Sequence, residues 1–307
     1  MNVRTALIGA DWGTSNLRVF RFDAAGAVIE QREAPCGIGA IRDGAFESAL
    51  MAQIASWLPK DGPPPPIVLC GMIGSQQGWA EAAYVPCPAD TALLARRLLP
   101  LATAAGPAWI VPGLSLTRPD GLHDVMRGEE TQILGALDAH ISGLVITPGT
   151  HSKWVRVAGG RIETFRTFMS GEVFAILCAH SILGRLMQGR EPDEAAFRLG
   201  VSRALEDPAL LSLLFSARAE GLFGALPPTA ISAYLSGLLI GSEVRSGLPL
   251  AGAGDPITII GSAQIAGLYQ TALAEAGLGT ARIIDGADAS ARGLFRIGAA
   301  LNQELSL

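Results

Sequence analysis

The chain has 307 residues, enough for two domains of ordinary size or one large one. Hydrophobic residues make up 49% and charged residues only 17%, a composition that excludes a disordered chain. The net charge of −5 gives no basic footprint for nucleic acid, but a small anion could still be held by backbone amides and a few basic side chains.

Residues 6–10 read as a buried strand, and 16–22, "NLRVFRF", alternate as a second. "DAAG" is turn chemistry, and "AVIEQ" continues the meander. Residues 45–58 place Phe46, Ala49, Leu50, Ile54, Trp57 and Leu58 on one helical face, and "PKDGPPPP" ends that helix. "IVLCGMIGS" is an apolar strand entering a glycine turn. Asp90 is a candidate cap for a helix through Leu99, "AWIVPG" is strand-like, and a helix is expected over about 125–138. "GLVIT" starts a new strand, and "KWVRV", "GG" and "RIETFRTF" form a hairpin. Helices are expected at 171–188, 193–204, 207–219 and 229–245. The stretch 256–277 reads as strand, glycine turn and helix with Gly277 at its end, and "RIIDGADASARGLFRIGAALNQ" repeats the plan with Asp288 as candidate N-cap. Strands lead and helices follow in each half, which suits two α/β domains with a cleft between them.

Four scattered cysteines form no C-x-x-C pair, so reduced thiols are expected rather than a zinc site. The first apolar run meets Asp11 too soon for a signal peptide, and Arg96, Arg97, Pro100 and Pro107 interrupt the longest apolar stretch. A cytoplasmic protein is expected, without membrane or nucleic-acid partners. Gly- and Ala-rich helices suit a core or a homodimer interface equally, so a homodimer stays open.

The chain carries an internal echo. "LIGADWGTSNLRVFRFDAAGAVIE" overlays "VITPGTHSKWVRVAGGRIETF", with Gly149-Thr150 lying 136 residues beyond Gly13-Thr14. One Gly-Thr after a strand is a common turn; two at matching places in similar meanders suggest two tips that approach a polyphosphate with small residues, amides and hydroxyls. The candidates are Gly13, Thr14 and Ser15 in the first copy, and Gly149, Thr150, His151, Ser152 and Lys153 in the second. Asp11 has no acidic counterpart, because Thr147 stands at the matching place. A carboxylate beside phosphates is useful when a cation lies between them, so Asp11 is a candidate to orient Mg²⁺ or its water shell. Lys153 offers a flexible ammonium for a phosphate oxygen.

The D-x-G-T-[ST] pattern of Asp11 to Ser15 resembles the acetate and sugar kinase, heat-shock cognate and actin superfamily. Within it the chain resembles the 2-dehydro-3-deoxygalactonokinase family, through "ADWGTSNLR", "CGMIGSQQGW", "VPGLS", "DVMRGEETQ", "TPGTHSKWV", "FRTFMSGE" and "GSAQ", in that order. The resemblance implies two ribonuclease-H-like domains, expected as 1–141 and 142–307 with the last helix a candidate to cross back to the first, and an actin-like interdomain nucleotide cleft. It implies ATP and Mg²⁺, and phosphorylation of the terminal hydroxyl of a 2-keto-3-deoxy sugar acid.

The same resemblance places an acidic base at the helix before the second phosphate strand. Asp124, Glu129 and Glu130 are candidates there, with Glu129 preferred and Asp124 next; all three could instead complement the helix dipole. Arg127 could pair a substrate carboxylate bidentately. Arg18 either faces solvent or meets substrate or the γ-phosphate. Gly74, Ser75, Gln76 and Gln77 could bind hydroxyls and a keto oxygen, as could Arg166, Ser170 and Glu172. The resemblance suggests adenosine at Gly261 and Ser262. Three alternatives remain at this level: a kinase of this fold for another sugar acid or sugar, a non-catalytic actin-like nucleotide-binding protein, and a phosphate-releasing hydrolase.

Overall fold

The computed structural model describes residues 4–137, 142–189, 191–252 and 254–305. Two compact units emerge: Met1–Ser142 with Val157–Thr164 and Ile284–Leu307, and Gly143–Arg156 with Phe165–Ile283. The expected domain boundary after residue 141 falls on a residue outside the described ones.

The first unit begins with β1 (Leu7–Trp12), β2 (Leu17–Phe22), β3 (Val28–Ala34), α1 (Phe46–Ile54) and β4 (Ile67–Cys70). It continues with β5 (Val85–Pro86), α2 (Thr91–Arg96), β6 (Leu99–Thr103), β7 (Gly106–Ile110), β8 (Leu114–Thr117), β9 (His123–Met126) and α3 (Glu129–Ala136). Its main sheet has the order β3-β2-β1-β4-β7-β6, with β2 antiparallel and β4 parallel to β1. A small second sheet, β5-β8-β9, has no counterpart in the sequence reading.

The second unit holds β10 (Gly143–Thr147), β11 (Ser152–Ala158), β12 (Arg161–Phe168), α4 (Ser170–His180), α5 (Glu194–Glu206) and α6 (Leu210–Leu222). It closes with α7 (Ile231–Gly247), β13 (Ile257–Ile260), α8 (Ala263–Glu275) and β14 (Arg282–Ile284). Its sheet runs β12-β11-β10-β13-β14, with β13 parallel to β10. Third, second, first, fourth, fifth is thus the strand order in both units, once β6 is set aside. The echo at an offset of 136 residues is therefore a repeat of topology, and both units are ribonuclease-H-like.

The last helix, α9 (Gly286–Leu305), belongs to the first unit. It packs along β1 in a fixed register. A Cβ on Gly298 would meet Leu7, and one on Gly9 would meet Leu294 at 3.1 Å. Two strand residues advance about 6.6 Å and four helix residues about 6 Å, so the next matched pair is Asp11 with Ser290. The other face of β1 buries Ile8, Ala10 and Trp12 in a core with Leu50, Ile54 and Leu69. The second unit has its own core of Ile146, Trp154, Phe197, Val201, Val244 and Tyr269.

Several expected boundaries shift for local reasons. The helix expected over 125–138 is a strand to Met126 and a helix from Glu129, split by Gly128 at φ +106. The helix expected through Leu99 stops at Arg96, because Pro100 has no N–H to give and favours an extended residue before it. Asp90 does cap it, accepting from the Leu93 amide at 2.8 Å. At α9 the capping carboxylate is Asp285, which accepts from the amides of Ala287 and Asp288, rather than Asp288 itself. The helix expected over 171–188 ends at His180, where the Ser181 hydroxyl donates back to the Leu177 carbonyl.

Candidate active site

In the first unit the β1–β2 tip is anchored by its carbonyls. Gly37, Ile38 and Gly39 donate their amides to the oxygens of Ser15, Gly13 and Thr14 at 2.9–3.1 Å. This approach needs Gly37, since a Cβ there would stand 2.3 Å from Thr14 O. Trp12 Nε1 adds a bond to Cys36 O at 2.8 Å. Thr14 and Ser15 remain exposed at the tip.

Asp11 is half-buried, and the Ser290 hydroxyl donates to its Oδ2 at 2.7 Å. Gln132 Nε2 in turn donates to Ser290 Oγ at 3.2 Å. Burial pushes the Asp11 carboxyl up, opposed by the Ser290 bond and the nearby Arg18 charge. Arg18 pairs with Asp11 across the hairpin but points its guanidinium at Glu33, 3.3 Å away. The ends of β1, β4 and α3 crowd together here. A Cβ on Gly71 would meet Trp12 O at 2.8 Å, and one on Gly128 would meet Gly71 Cα at 3.2 Å.

The three acidic candidates differ sharply. Glu129 starts α3, is half-buried and accepts from the Arg127 amide at 3.1 Å. Glu130 is fully buried and accepts from the Gly128 amide at 2.6 Å and the Thr131 hydroxyl at 2.9 Å. Burial, with help from the neighbouring Glu129 charge, pushes Glu130 up to about 8. The buried thiol of Cys70 is raised by the same cause and by the charges of Asp11 and Glu130. Asp124 sits on β9 and accepts from the adjacent Val125 amide.

Arg127 and the "GSQQ" turn meet: Nη1 lies 2.9 Å from where a Gly74 Cβ would stand. Nη2 donates to Ala82 O at 2.7 Å, and the guanidinium lies 4.4 Å over the Tyr84 ring. Ser75 Oγ is occupied with Met72 O at 2.7 Å, whereas Gln76 and Gln77 are exposed.

In the second unit Gly149 and Thr150 form the exposed tip between β10 and β11. The start of α4 is pressed onto it. Glu172 N donates to Thr150 O at 3.0 Å, and a Cβ on Gly171 would stand 2.3 Å from Gly149 O. His151 Nε2 meets Glu172 Oε2 at 2.5 Å. Ser152 and Lys153 lie inside rather than on the tip; Lys153 Nζ donates to His151 O at 3.2 Å. Arg166 bonds Ser246 O. Thr147, in the place of Asp11, is buried too.

Ser170 and Gly149 border a pocket of about 590 Å³ lined also by Gln264, Ile265, Gly267 and Tyr269. Gly261 and Ser262 lie just before that wall, where Ser262 caps α8 with its carbonyl accepting from Ala266 N.

The sequence matches the family model described as 2-keto-3-deoxy-galactonokinase over residues 11–297. The chain belongs to the 2-keto-3-deoxy-galactonokinase family. It is 41% identical over 293 residues to a Rhizobium meliloti (strain 1021) protein named "Probable 2-dehydro-3-deoxygalactonokinase DgoK1", covering 92% of this chain and 94% of that one. It is 37% identical over 267 residues to the 2-dehydro-3-deoxygalactonokinase of Escherichia coli (strain K12), covering 86% and 88%. A Sinorhizobium meliloti crystal structure assigned to the same activity superposes with a TM-score of 0.88 at 38% identity, over 98% of this chain and 100% of that one. The ADPNP-bound activator of 2-hydroxyisocaproyl-CoA dehydratase from Clostridium difficile, at 10% identity and a TM-score of 0.52 over 98% of this chain and 97% of that one, shares the fold alone.

A chain of this kinase family is a sugar-acid phosphotransferase and uses ATP. Its residues also fit Mg²⁺. Among the described residues no three acidic, His or Cys side chains converge on one point. Mg²⁺ needs only one or two carboxylates when phosphates and waters complete its shell. Asp11 would offer one, with Oδ1 beside the space that Gly71 keeps open by lacking a Cβ. No helix among the described residues is long and apolar enough to cross a membrane.

Sequence reasoning missed Ser290, Gln132, Glu243 and Tyr269 in this kinase-family chain. No local motif marks them. Ser290 was findable only through the β1–α9 register, which needs the fold.

Proposed function

We propose that this chain transfers the γ-phosphoryl group of ATP to the terminal hydroxyl of 2-dehydro-3-deoxy-D-galactonate, giving the 6-phosphate in cytoplasmic galactonate and galactose breakdown. The observation that carries the reading is the family match over residues 11–297, which begins at Asp11 itself.

In this reading Gly13, Thr14 and Ser15 hold phosphate oxygens at one tip, and Gly149, Thr150 and His151 do so at the other. Lys153 contributes positive charge from behind its tip. Mg²⁺, when bound, would neutralise phosphate charge at Asp11. Glu129 takes the proton of the attacking hydroxyl, with Asp124 the second candidate. The hydroxyl oxygen forms a bond to the γ-phosphorus as the bond from phosphorus to the bridging oxygen breaks, and ADP leaves with that electron pair. Ser75, Gln76 and Gln77 orient the polyol, with Arg127 beside them for the carboxylate. Arg18, Arg166, Ser170 and Glu172 complete the contacts proposed for the substrates. The adenosine lies in the pocket that follows Gly261 and Ser262, whose largely apolar wall suits a purine.

A coupled assay for ADP across sugar acids and aldoses tests this. Turnover with 2-keto-3-deoxy hexonates well above the others is expected. Turnover with a plain aldose but none with these acids would overturn the substrate. Phosphate release from ATP without acceptor, as the main reaction, would favour a hydrolase.

A further inference from the structure

Beneath the second tip lies a buried carboxylate that the reaction does not use. Glu243, on α7, is 2% exposed. Its Oε1 accepts from Trp154 Nε1 at 2.7 Å and from the Tyr269 hydroxyl at 2.8 Å. The Tyr269 oxygen is also 2.9 Å from Ser152 Oγ. Since Tyr269 spends its proton on Glu243, Ser152 is the donor in that contact. The chain of bonds runs Ser152 to Tyr269 to Glu243, and Trp154 to Glu243. All four groups belong to the second unit.

No cation pairs with Glu243 among the described residues, and burial pushes its carboxyl up. A buried carboxylate without a counter-charge is costly, and an apolar side chain of similar size would pack there at lower cost. Its contacts show what the carboxylate secures. Ser152 and Trp154 start β11, directly after the tip at Gly149 and Thr150. Tyr269 is on α8 and lines the pocket. Ser170, also on the pocket wall, lies near Glu243 and favours its ionised form, while the buried Glu243 Oε2 has no hydrogen-bond partner among the described residues. Trp154 cannot shift freely, because a Cβ on Gly247 would already stand 2.3 Å from its ring.

We propose that Glu243 and Tyr269 are positioning residues that fix the second tip, through Ser152 and Trp154, relative to the nucleotide pocket. The inference rests on the kinase reading, in which that tip holds phosphate oxygens. Both residues act through others and touch no reacting atom.

The test measures ADP affinity by calorimetry, which needs no knowledge of the sugar acid, and then the two KM values. Tyr269→Phe removes the hydroxyl that joins Ser152 to Glu243 while keeping the ring. Glu243→Leu removes the acceptor, and Glu243→Gln keeps an acceptor oxygen for both donors. Tyr269→Phe and Glu243→Leu are expected to weaken ADP about tenfold and raise KM for ATP similarly, with KM for the sugar acid within twofold. Glu243→Gln is expected to stay within about twofold of wild type on both. If Glu243→Leu does not fold, Tyr269→Phe carries the test alone. Unchanged ADP affinity in Tyr269→Phe, an equal rise in both KM values, or a loss in Glu243→Gln as large as in Tyr269→Phe overturns the proposal. Wild-type protein that binds no ADP would overturn the nucleotide reading as well, and that outcome is distinct from the others.

Discussion

The Ser290 hydroxyl donates to Asp11 Oδ2 at 2.7 Å, joining residues 279 positions apart in the chain. The bond exists because α9 lies along β1 with four helix residues matched to two strand residues. It holds the carboxylate in one rotamer at the end of the strand. Ser290→Ala leaves the packing intact and frees Asp11 to rotate. Turnover is expected to fall about tenfold, and stability to drop by about 1.5–3 kcal/mol, the range for a lost hydrogen bond to a charged group. Steady-state kinetics and denaturant melts check both; unchanged turnover would mean that Asp11 needs no such support.

Asp11→Asn separates stability from activity. Burial raises the Asp11 carboxyl, so its ionised form is disfavoured in the fold. Relative to this group, stability is greatest below the unfolded value and declines as pH rises through the folded one. Asparagine carries no such penalty. The variant is expected to melt at or above the wild-type temperature at pH 8, while turnover falls by two or more orders of magnitude, as for loss of a group that handles phosphate charge. Near wild-type turnover would remove Asp11 from the mechanism.

Much of this was legible in the sequence, and the reason is local. Asp11 to Ser15 and Gly149 to Lys153 are short strings in which the strand, the turn and the chemistry adjoin. Their repeat at a fixed offset anticipates the shared strand order of the two units. The small β5-β8-β9 sheet was not legible, because "LHDVMRG" gives no clear period before Gly128 stops it. Nor was the burial of Ser152 and Lys153: the two face opposite sides of β11, and alternation alone does not show that both sides are covered. Ser290, Gln132, Glu243 and Tyr269 depend on pairings between 26 and 279 residues apart, which only the folded chain supplies.

Glu129 and Asp124 can be separated by kinetics. A general base that takes the proton of the attacking hydroxyl contributes about 10²–10⁴ in rate. Glu129→Gln is expected to lower kcat by that order with KM for the sugar acid within threefold. Asp124→Asn, on β9 and bonded to its own neighbour's amide, is expected to change kcat less than threefold. The reverse pattern would transfer the base role to Asp124.

Glu130 gives a pH signature of its own. Its folded value of about 8 lies above the ordinary 4.5, so folding takes up a proton between those values. The stability it contributes is full below pH 4.5 and is lost as pH rises through 8. Glu130→Gln does not titrate, and it keeps both contacts, its carbonyl oxygen accepting from the Gly128 amide and its NH2 donating to the Thr131 hydroxyl oxygen. At pH 5, where Glu130 is itself neutral in the fold, the variant is therefore expected to match wild type within about 1 kcal/mol. Relative to wild type it should then gain on the order of 4 kcal/mol by pH 9. Melting curves at the two pH values check the slope, and a difference that does not change with pH would show that Glu130 stays ionised in the fold.

Gly37→Ala tests whether the first tip is held from its carbonyl side. Gly37 has φ −59, a conformation open to any residue, so backbone strain plays no part. The added methyl would stand 2.3 Å from Thr14 O and from Ser15 C, both backbone atoms. Relief requires the tip to move away, which lengthens the bonds from Gly37, Ile38 and Gly39 to Ser15, Gly13 and Thr14. Overpacking of this kind costs about 1–3 kcal/mol. KM for ATP is expected to rise about tenfold as the tip leaves its place, while KM for the sugar acid changes less than threefold. A variant that loses stability with both KM values unchanged would show that the tip binds phosphate through a geometry independent of the 37–39 segment.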